Sequence, residues 1–214
     1  MMPGPGLSPP SRSLRHVDFL TKPLDAETWA DFARLAEDNH GVGSGCWCLS
    51  FHEEGRRGVH SPEQRRTLKE ALVRDDRAHA ALVYDGALGG AAGPGLAQCV
   101  GWCQFGPVDD LPRIKHLKAY REGLTGLPDW RITCFFTGRG HRGQGVADAA
   151  LAGALEEIAV LGGGTVESYP EDTAGRKVSG WFLYSGTVAL FERHGFERKR
   201  QLGKHHWVVS RFVG

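Results

Sequence analysis

Apolar residues recur at helical spacing in some segments of this chain and form short continuous or alternating runs, typical of strands, in the segments between them. From Asp25 to Asp38 they recur at helical spacing, which predicts a first helix with one inner face, formed by Trp29, Phe32, Leu35 and Ala36. A second helix is expected to begin at Ser61-Pro62, because serine can cap a helix, proline fits its first position and Gln64 completes a capping box. The expected inner face of that helix is Leu68, Ala71 and Leu72.

The rest of the pattern predicts further strands and helices in alternation. Apolar runs bounded by turn residues predict strands over Leu14–Leu20, Ala78–Tyr84, Leu96–Phe105, Ile132–Phe136 and Val166–Tyr169. Helices are expected over Ile114–Tyr120, Val146–Ile158 and Tyr184–His194, and a hairpin over Phe196–Phe212. Strands that alternate with helices before a hairpin predict a mixed α/β sheet packed by helices on both faces.

Composition and charge narrow the class of protein. The 214 residues are 41% apolar, enough for the core of one enzyme-sized domain, expected over residues 14–214. A net charge of +1 provides no overall attraction for nucleic acid, and no uninterrupted apolar run reaches the length of a membrane span. Residues 1–13 are rich in proline, glycine and serine and lack the apolar core of a signal peptide, so we expect a disordered tail and a cytoplasmic protein.

The most informative stretch runs from Arg131 to Ile158. It predicts a strand, a basic glycine-rich turn over Gly138–Gly145 and a helix that begins at Val146. Glycines let backbone amides approach a ligand closely, and a helix N-terminus carries a partial positive charge. The turn is therefore suited to a phosphate or pyrophosphate, and we expect the chemistry of the protein to take place beside it.

Two other interpretations of the turn have to be considered. Gly138, Gly140 and Gly143 satisfy G-x-G-x-x-G after a strand, and Glu167 lies near the end of the next apolar segment, as in a dinucleotide-binding fold. That fold needs several more strand–helix units than the chain after Glu167 holds, and with 30 glycines in 214 residues such spacings arise by chance. Alternatively, the glycines only permit close packing.

Two motifs point to a family. Arg142-Gly-Gln-Gly145-Val-Ala147 resembles the R-x-x-G-x-G/A signature of the GNAT superfamily of acyl-CoA N-acyltransferases, and Leu190–Phe196 resembles that family's L-Y-E-x-x-G-F segment. The resemblance covers about residues 131–196 and implies a mixed, mostly antiparallel central sheet of six or seven strands, splayed in the middle, with helices on both faces. It also implies acetyl-CoA as cosubstrate, with the pyrophosphate on Arg142, Gly143, Gln144, Gly145, Val146 and Ala147 and the pantetheine arm along Phe135, Phe136 and Thr137.

The implied reaction transfers an acyl group, most simply acetyl, from the CoA thioester to a primary amine of a small molecule or peptide. The amine must lose a proton, the oxyanion needs amide donors and the leaving thiolate benefits from an acid. By the resemblance, amides near Phe135 and Phe136 serve the oxyanion, and Glu167 is the candidate base unless it only faces outward from its strand. The family's tyrosine acid is Phe191 here, so Tyr184, seven residues earlier on the expected helix, is the candidate acid, and Tyr169 is another possibility.

Phe191 leaves a second hypothesis open, namely a non-catalytic acyl-CoA-binding or sensory protein of the same fold. A third is a nicotinamide-dependent enzyme that uses the G-x-G-x-x-G spacing. The identity of the acceptor, the acyl chain and the oligomeric state stay open at this point, with a homodimer as one option. Neither a nucleic acid nor a membrane is expected as a partner.

Five cysteines, an odd number without regular spacing, indicate reduced thiols in the core rather than a disulfide framework. Cys46 and Cys48 could be zinc ligands, with Cys103 or His52 as further ligands. In structural zinc sites, however, the two cysteines of a pair are usually separated by two to four residues and a second pair is present, so no metal is expected. The surrounding loop, Gly41–Gly58, is equally consistent with a wall of the acceptor pocket and with a linker whose aromatic residues are buried.

Overall fold

The structure, a computed structural model, describes residues 19–55, 60–86 and 97–214, and in these ranges seven strands form one sheet. The strands are β1 (Leu20–Pro23), β2 (His79–Asp85), β3 (Gln98–Pro107), β4 (Trp130–Thr137), β5 (Gly164–Ser168), β6 (Glu197–Leu202) and β7 (His206–Val213). The α-helices are α1 (Trp29–Glu37), α2 (Pro62–Arg74), α3 (Leu117–Glu122), α4 (Val146–Val160) and α5 (Val188–Arg193).

The sheet is mixed and mostly antiparallel. Its strand order is β1-β2-β3-β4-β5-β7-β6, and among the described strands only the central neighbours β4 and β5 run parallel. The expected fold class, with six or seven mostly antiparallel strands, is confirmed. A dinucleotide-binding fold is built on a mostly parallel sheet, so the Rossmann interpretation of the glycine turn, and with it the nicotinamide hypothesis, is wrong.

Each face of the sheet carries its own apolar core. On one face α4 and α5 pack against the strands through residues such as Leu151 and Phe191. On the other face α1 and α2 pack through residues such as Phe32. Successive side chains of β4 point to opposite faces, so Phe135 joins the α4/α5 core and Phe136 packs against the α1/α2 core. The sheet is therefore covered by helices on both sides, as expected.

The start of α2 follows its sequence signals. Ser61 Oγ accepts the Gln64 N–H at 3.2 Å and Gln64 Oε1 accepts the Ser61 N–H at 2.8 Å, which confirms the expected capping box. Leu72 is buried as expected, but Ala71 is exposed and Lys69 is buried instead. The prediction for Ala71 is wrong because the inner face of α2 includes a lysine, and a pattern of apolar residues cannot identify a buried cation.

Helix α1 begins at Trp29, later than expected. Asp25 Oδ1 accepts the N–H groups of Glu27 and Thr28 at 2.8 and 2.9 Å, which forms a turn ahead of the helix. Its expected inner face is buried: Trp29, Phe32, Leu35 and Ala36. The longest of the described helices, α4, has 15 residues, and none in the described ranges combines the length and apolar character needed to cross a bilayer.

Two expectations fall largely on residues outside the described ranges. The expected tail, residues 1–13, lies outside them entirely. The expected first strand, Leu14–Leu20, is described only from Phe19, and the strand observed there runs from Leu20 to Pro23.

Candidate functional site

The parallel strands β4 and β5 diverge in the middle of the sheet. Their pairing covers three positions and ends at Ile132 and Ser168, where Ser168 Oγ donates to the Ile132 carbonyl at 2.9 Å. Strand β4 continues to Thr137, and its other edge stays paired with β3. A register shift between β3 and β4 leaves Thr133 as an extra residue where the divergence begins. The result is the expected splay, a cleft between β4 and the chain that follows β5.

The turn after β4 presents three of its four glycines to solvent, whereas Gly138 is buried. Gly140, Gly143 and Gly145 have φ angles of +90°, +72° and +93°, a region that glycine adopts far more readily than other residues. A Cβ atom at Gly140 or Gly143 would meet no atom within 4 Å. The close-packing interpretation is therefore wrong at these two positions, because the backbone conformation, and not a neighbouring atom, requires glycine there.

This turn leads into an uncapped helix start. Gly145 is the N-cap residue of α4, and a glycine has no side chain with which to cap the first turn. The N–H groups of that turn have no partner within the helix, and the 15-residue helix concentrates partial positive charge on them. Arg142, exposed three residues before the cap, adds a full positive charge. These groups together suit an anion such as a pyrophosphate.

A cavity of about 560 Å³, here called the turn cavity, adjoins the glycine turn. Three separate parts of the chain provide its walls in addition to the turn: the end of α1 with the following loop, the beginning of β3 and the segment after β5. Polar or aromatic residues of the lining are Asp38, Asn39, His40, Ser44, Gln98, Phe136, Arg139, His141, Arg142 and Trp181. The members from α1 and Trp181 were not predicted, because they lie far from the turn in sequence and carry no motif.

The residues expected along the pantetheine arm face different surroundings. The Phe135 side chain is buried in the α4/α5 core, with its ring centre 5.8 Å from that of Phe191. The Phe136 ring lines the turn cavity and lies 4.7 Å from the Trp102 ring. Val146 is 2% exposed, so only its backbone can take part in binding. The other expected members are half-buried or exposed: Thr137, Arg142, Gly143, Gln144, Gly145 and Ala147.

A segment of the chain, Ser179–Thr187, lies in the cleft and is here called the cleft segment. The Phe135 N–H donates to the carbonyl of Tyr184 at 2.6 Å. On the opposite side the Glu171 N–H donates to the Gly186 carbonyl at 3.2 Å. The cleft segment therefore bridges β4 and the chain after β5, and it uses an N–H of β4 that the resemblance implies for the thioester.

Helix α5 begins at Val188, so the expected helix over Tyr184–His194 is wrong at its start. Gly186 has a φ angle of +75°, which a right-handed helix cannot contain, and the Thr187 side chain accepts the Leu190 N–H at 3.2 Å as the N-cap. The argument that Tyr184 shares a helical face with Phe191 therefore fails. Any role of Tyr184 depends on the position of the cleft segment.

Phe191, at the position of the family's tyrosine, and Tyr184, the candidate acid, have different environments. Phe191 is fully buried, between the rings of Phe135 and Phe196. Tyr184 is half-buried, with its ring centre 6.2 Å from that of Phe51. Phe51 belongs to the loop after α1, of which other members, such as Trp47, are buried in the α1/α2 core. That loop therefore supplies both core residues and one aromatic ring next to the cleft segment.

Glu167 lies in a polar network next to α3. Its Oε2 accepts the hydroxyls of Tyr120 at 2.8 Å and Tyr169 at 3.2 Å. Arg131 Nε donates to the Tyr169 oxygen at 2.9 Å, and the Arg131 guanidinium lies 5.3 Å from the centre of the Tyr120 ring. Burial raises the pKa of both tyrosines, so they remain protonated donors. Glu167 is thus half-buried with two phenol partners, and its role as the base stays a prediction.

The cysteines lie on both faces of the sheet. Cys48 Sγ is 3.5 Å from Cys134 Sγ on the α1/α2 side, and Trp102 Nε1 donates to Cys48 Sγ at 3.3 Å. Cys103 belongs to the opposite core, so it cannot join Cys46 and Cys48 around zinc. In residues 19–55, 60–86 and 97–214, no cluster of three or more histidine, cysteine or acidic residues is arranged to hold a metal ion.

Comparisons with known proteins concern the fold. No family model and no curated protein matches the chain. Similar solved structures include an acetyltransferase of the GNAT family from Streptococcus pneumoniae, with 13% identity, 92% of this chain and 100% of that chain covered and a TM-score of 0.47. A spermidine N-acetyltransferase from Vibrio cholerae in complex with CoA and spermine has 10% identity, 91% and 95% coverage and a TM-score of 0.49. A histone acetyltransferase HPA2 and related acetyltransferase from Corynebacterium glutamicum has 17% identity, 91% and 97% coverage and a TM-score of 0.48. At these identities and TM-scores the likeness assigns no substrate or activity to this chain.

Proposed function

We propose that this protein transfers an acyl group, most simply acetyl, from a CoA thioester to a primary amine of a small-molecule or peptide acceptor by direct attack. The observation that carries the proposal is the divergence of β4 and β5 beside an open glycine turn that leads into the uncapped start of α4. Such a site offers amides for a pyrophosphate and a strand edge for an extended arm. The residues that resemble the acyltransferase signature, Arg142–Ala147, lie at this turn.

In this proposal the arm of acetyl-CoA pairs with the edge of β4 from Phe135 to Thr137. The Phe135 N–H must then be released from the Tyr184 carbonyl before it can donate to the arm or to the oxyanion. One such hydrogen bond contributes about 1 kcal/mol net. Because acetyl-CoA would replace this bond with several of its own, binding can drive the exchange.

The remaining chemistry is proton transfer. Glu167 is the proposed base, and the Tyr120 and Tyr169 hydroxyls that donate to it hold its carboxylate in position. Tyr184 is the proposed acid for the thiolate, because it is the phenol carried by the segment that bonds to β4. The amine gives its proton to the base as it attacks the thioester carbonyl. The CoA sulfur takes a proton from the acid and leaves as the free thiol.

A second function, binding of acyl-CoA without turnover, is favoured by one observation. Phe191 stands where the family resemblance expects a tyrosine, and it is fully buried between two other phenylalanine rings. A phenylalanine has no proton to donate to the thiolate. A protein that binds acyl-CoA as a signal would need no acid at this position.

Two measurements test the proposal on the full chain. Calorimetric titration with acetyl-CoA, CoA and NADH identifies the cofactor, and thiol release from acetyl-CoA in the presence of a panel of primary amines reports transfer. We expect binding of acetyl-CoA, no binding of NADH and thiol release with at least one amine. Binding without release for any amine supports the second function, and absence of acetyl-CoA binding contradicts both.

A further inference from the structure

A second cavity, of about 470 Å³, lies on the other side of the cleft segment and is here called the basic cavity. Ser179 and Phe182 of the cleft segment line it, whereas Trp181 of the same segment lines the turn cavity. Its other walls are the loop before α3, the chain after β5 and the turn between β6 and β7. The two cavities are therefore neighbours that share one wall.

The lining of the basic cavity is strongly cationic. Lys115, Lys177 and Lys204 come from three different parts of the chain, and no carboxylate among the described residues forms an ion pair with any of them. The acidic residue of the lining, Glu171, is 6% exposed and its Oε1 lies 3.2 Å from Nη1 of Arg176, which also lines the cavity. The one negative charge is thus already matched, and three lysine charges remain.

One of the three histidines that line the basic cavity, His206, has the same cationic surroundings. Lys115 Nζ lies 3.4 Å from His206 Nε2. Burial first, and Lys115 second, lower the pKa of His206 to about 4, although Glu171 acts in the opposite direction. His206 is therefore neutral at pH 7 and can accept or donate a hydrogen bond without adding charge.

We propose that the basic cavity binds the acidic group of the acyl acceptor, which would make the acceptor a small amine that also carries a phosphate or a carboxylate. Like charges brought together from three parts of a chain oppose folding, and an anion offsets that repulsion. A volume of about 470 Å³ is in the range of small-ligand sites. The cleft segment between the two cavities would hold the amine end near β4. That the bound anion belongs to the acyl acceptor rests on the proposed function, whereas the anion site itself does not.

Matched amines test the inference with the full chain, because each pair differs in an acidic group. Dissociation constants are measured by calorimetry for phosphoethanolamine against ethanolamine and for 4-aminobutyrate against butylamine. We expect the acidic member of at least one pair to bind at least about tenfold more tightly, and the pair with the larger ratio distinguishes phosphate from carboxylate.

Charge reversal locates the site. The double substitution Lys177→Glu with Lys204→Glu should weaken binding of the acidic amine at least about tenfold and leave the affinity for acetyl-CoA nearly unchanged. The control is Lys118→Glu, which reverses a lysine on α3 whose side chain is 94% exposed and does not line the cavity. It should leave both affinities nearly unchanged.

The outcomes separate this inference from the proposed function. If acetyl-CoA binds but no acidic amine is preferred over its neutral partner, or if Lys118→Glu weakens acidic-amine binding as much as the double substitution, the inference is overturned and the acyltransferase proposal stands. If the acidic amine is preferred and only the double substitution removes the preference while acetyl-CoA does not bind, the anion site is supported and the proposed function is overturned.

Discussion

The N–H of Phe135 donates to the carbonyl of Tyr184 at 2.6 Å, at the point in the sheet where β4 has separated from β5. This bond lets the sheet splay without leaving a buried N–H unsatisfied. It also holds the cleft segment in place, with Trp181 and Phe182 66% and 58% exposed on it. Any ligand that pairs with this part of β4 has to displace the Tyr184 carbonyl.

The first prediction follows from that displacement. Because Trp181 is exposed on the cleft segment and lines the turn cavity, acetyl-CoA binding should change its surroundings and therefore its fluorescence. Trp181→Phe should remove most of the change, whereas Trp207→Phe, on β7, should leave it. A full fluorescence change in Trp181→Phe would show that the cleft segment does not respond to the cofactor.

The second prediction concerns the glycine turn. Arg142→Glu reverses a charge beside the uncapped start of α4, and Gly145→Val forces a branched residue to a φ angle of +93°. Each should weaken acetyl-CoA binding at least about tenfold, or roughly 1.4 kcal/mol. Arg121→Glu, an exposed arginine on α3, is the charge control for calorimetry. Unchanged affinity in both turn variants would end the assignment of this turn to the cofactor.

Much of the fold could be predicted because its signals are local. The capping box of Ser61 and Gln64 marks the start of α2 with residues that are only three apart in sequence. The positive φ angles of the turn are likewise a local property, because glycine adopts them without help from distant residues. The stretch from Arg131 to Ile158 therefore predicted strand, turn and helix correctly. Long elements with a clear pattern of apolar residues are the ones that a sequence predicts most reliably.

The parts that could not be predicted depend on contacts between distant residues. Lys69 is buried because its Nζ donates to Gln104 Oε1 at 3.0 Å, a partner on β3 that no spacing indicates. The helix expected over Tyr184–His194 begins at Val188 instead, because Gly186 has a φ angle that a right-handed helix does not contain. The pairing of Glu167 with Tyr120 likewise joins β5 to α3, 47 residues apart in sequence.

The third prediction concerns the missing tyrosine. From the sequence, Phe191→Tyr would be expected to preserve or raise turnover, but Phe191 is fully buried in an apolar core. A hydroxyl placed there without a partner should lower the free energy of unfolding by about 1–3 kcal/mol and should not raise turnover. Denaturant unfolding and thiol release measure the two effects. Higher turnover in Phe191→Tyr at unchanged stability would place this residue at the cleft.

The companion substitution, Tyr184→Phe, tests the proposed acid. It removes one hydroxyl and leaves the backbone carbonyl that bonds to Phe135. Turnover should fall by roughly one to two orders of magnitude, while acetyl-CoA affinity should change little. Turnover at the wild-type rate would make Tyr184 a packing residue against Phe51.

The fourth prediction concerns the proposed base. Glu167→Gln keeps the shape of the side chain but cannot take a proton, so turnover should fall by about a hundredfold or more. Tyr120→Phe and Tyr169→Phe each remove one donor that positions the Glu167 carboxylate and should lower turnover by a smaller factor. A pH–rate profile of Glu167→Gln with the wild-type shape and height would show that another group is the base.

The last prediction is about stability and does not depend on the function. Burial first, then the charges of Asp25 and Glu156, raise the pKa of Glu157 from 4.5 to about 8. Between these pH values the folded protein holds a proton that the unfolded chain releases. The free energy of unfolding of the wild type therefore decreases as the pH rises from about 4.5 to about 8. Glu157→Gln removes this loss and should raise the free energy of unfolding at pH 8 by on the order of 1–3 kcal/mol, with little effect at pH 4. Glu156→Gln, at the exposed neighbouring position, is the matched control and should change stability much less at both pH values. Denaturant unfolding of the three proteins at pH 4, 6 and 8 measures the difference, and equal stabilisation by both substitutions would show that net charge, and not the burial of Glu157, sets the pH dependence.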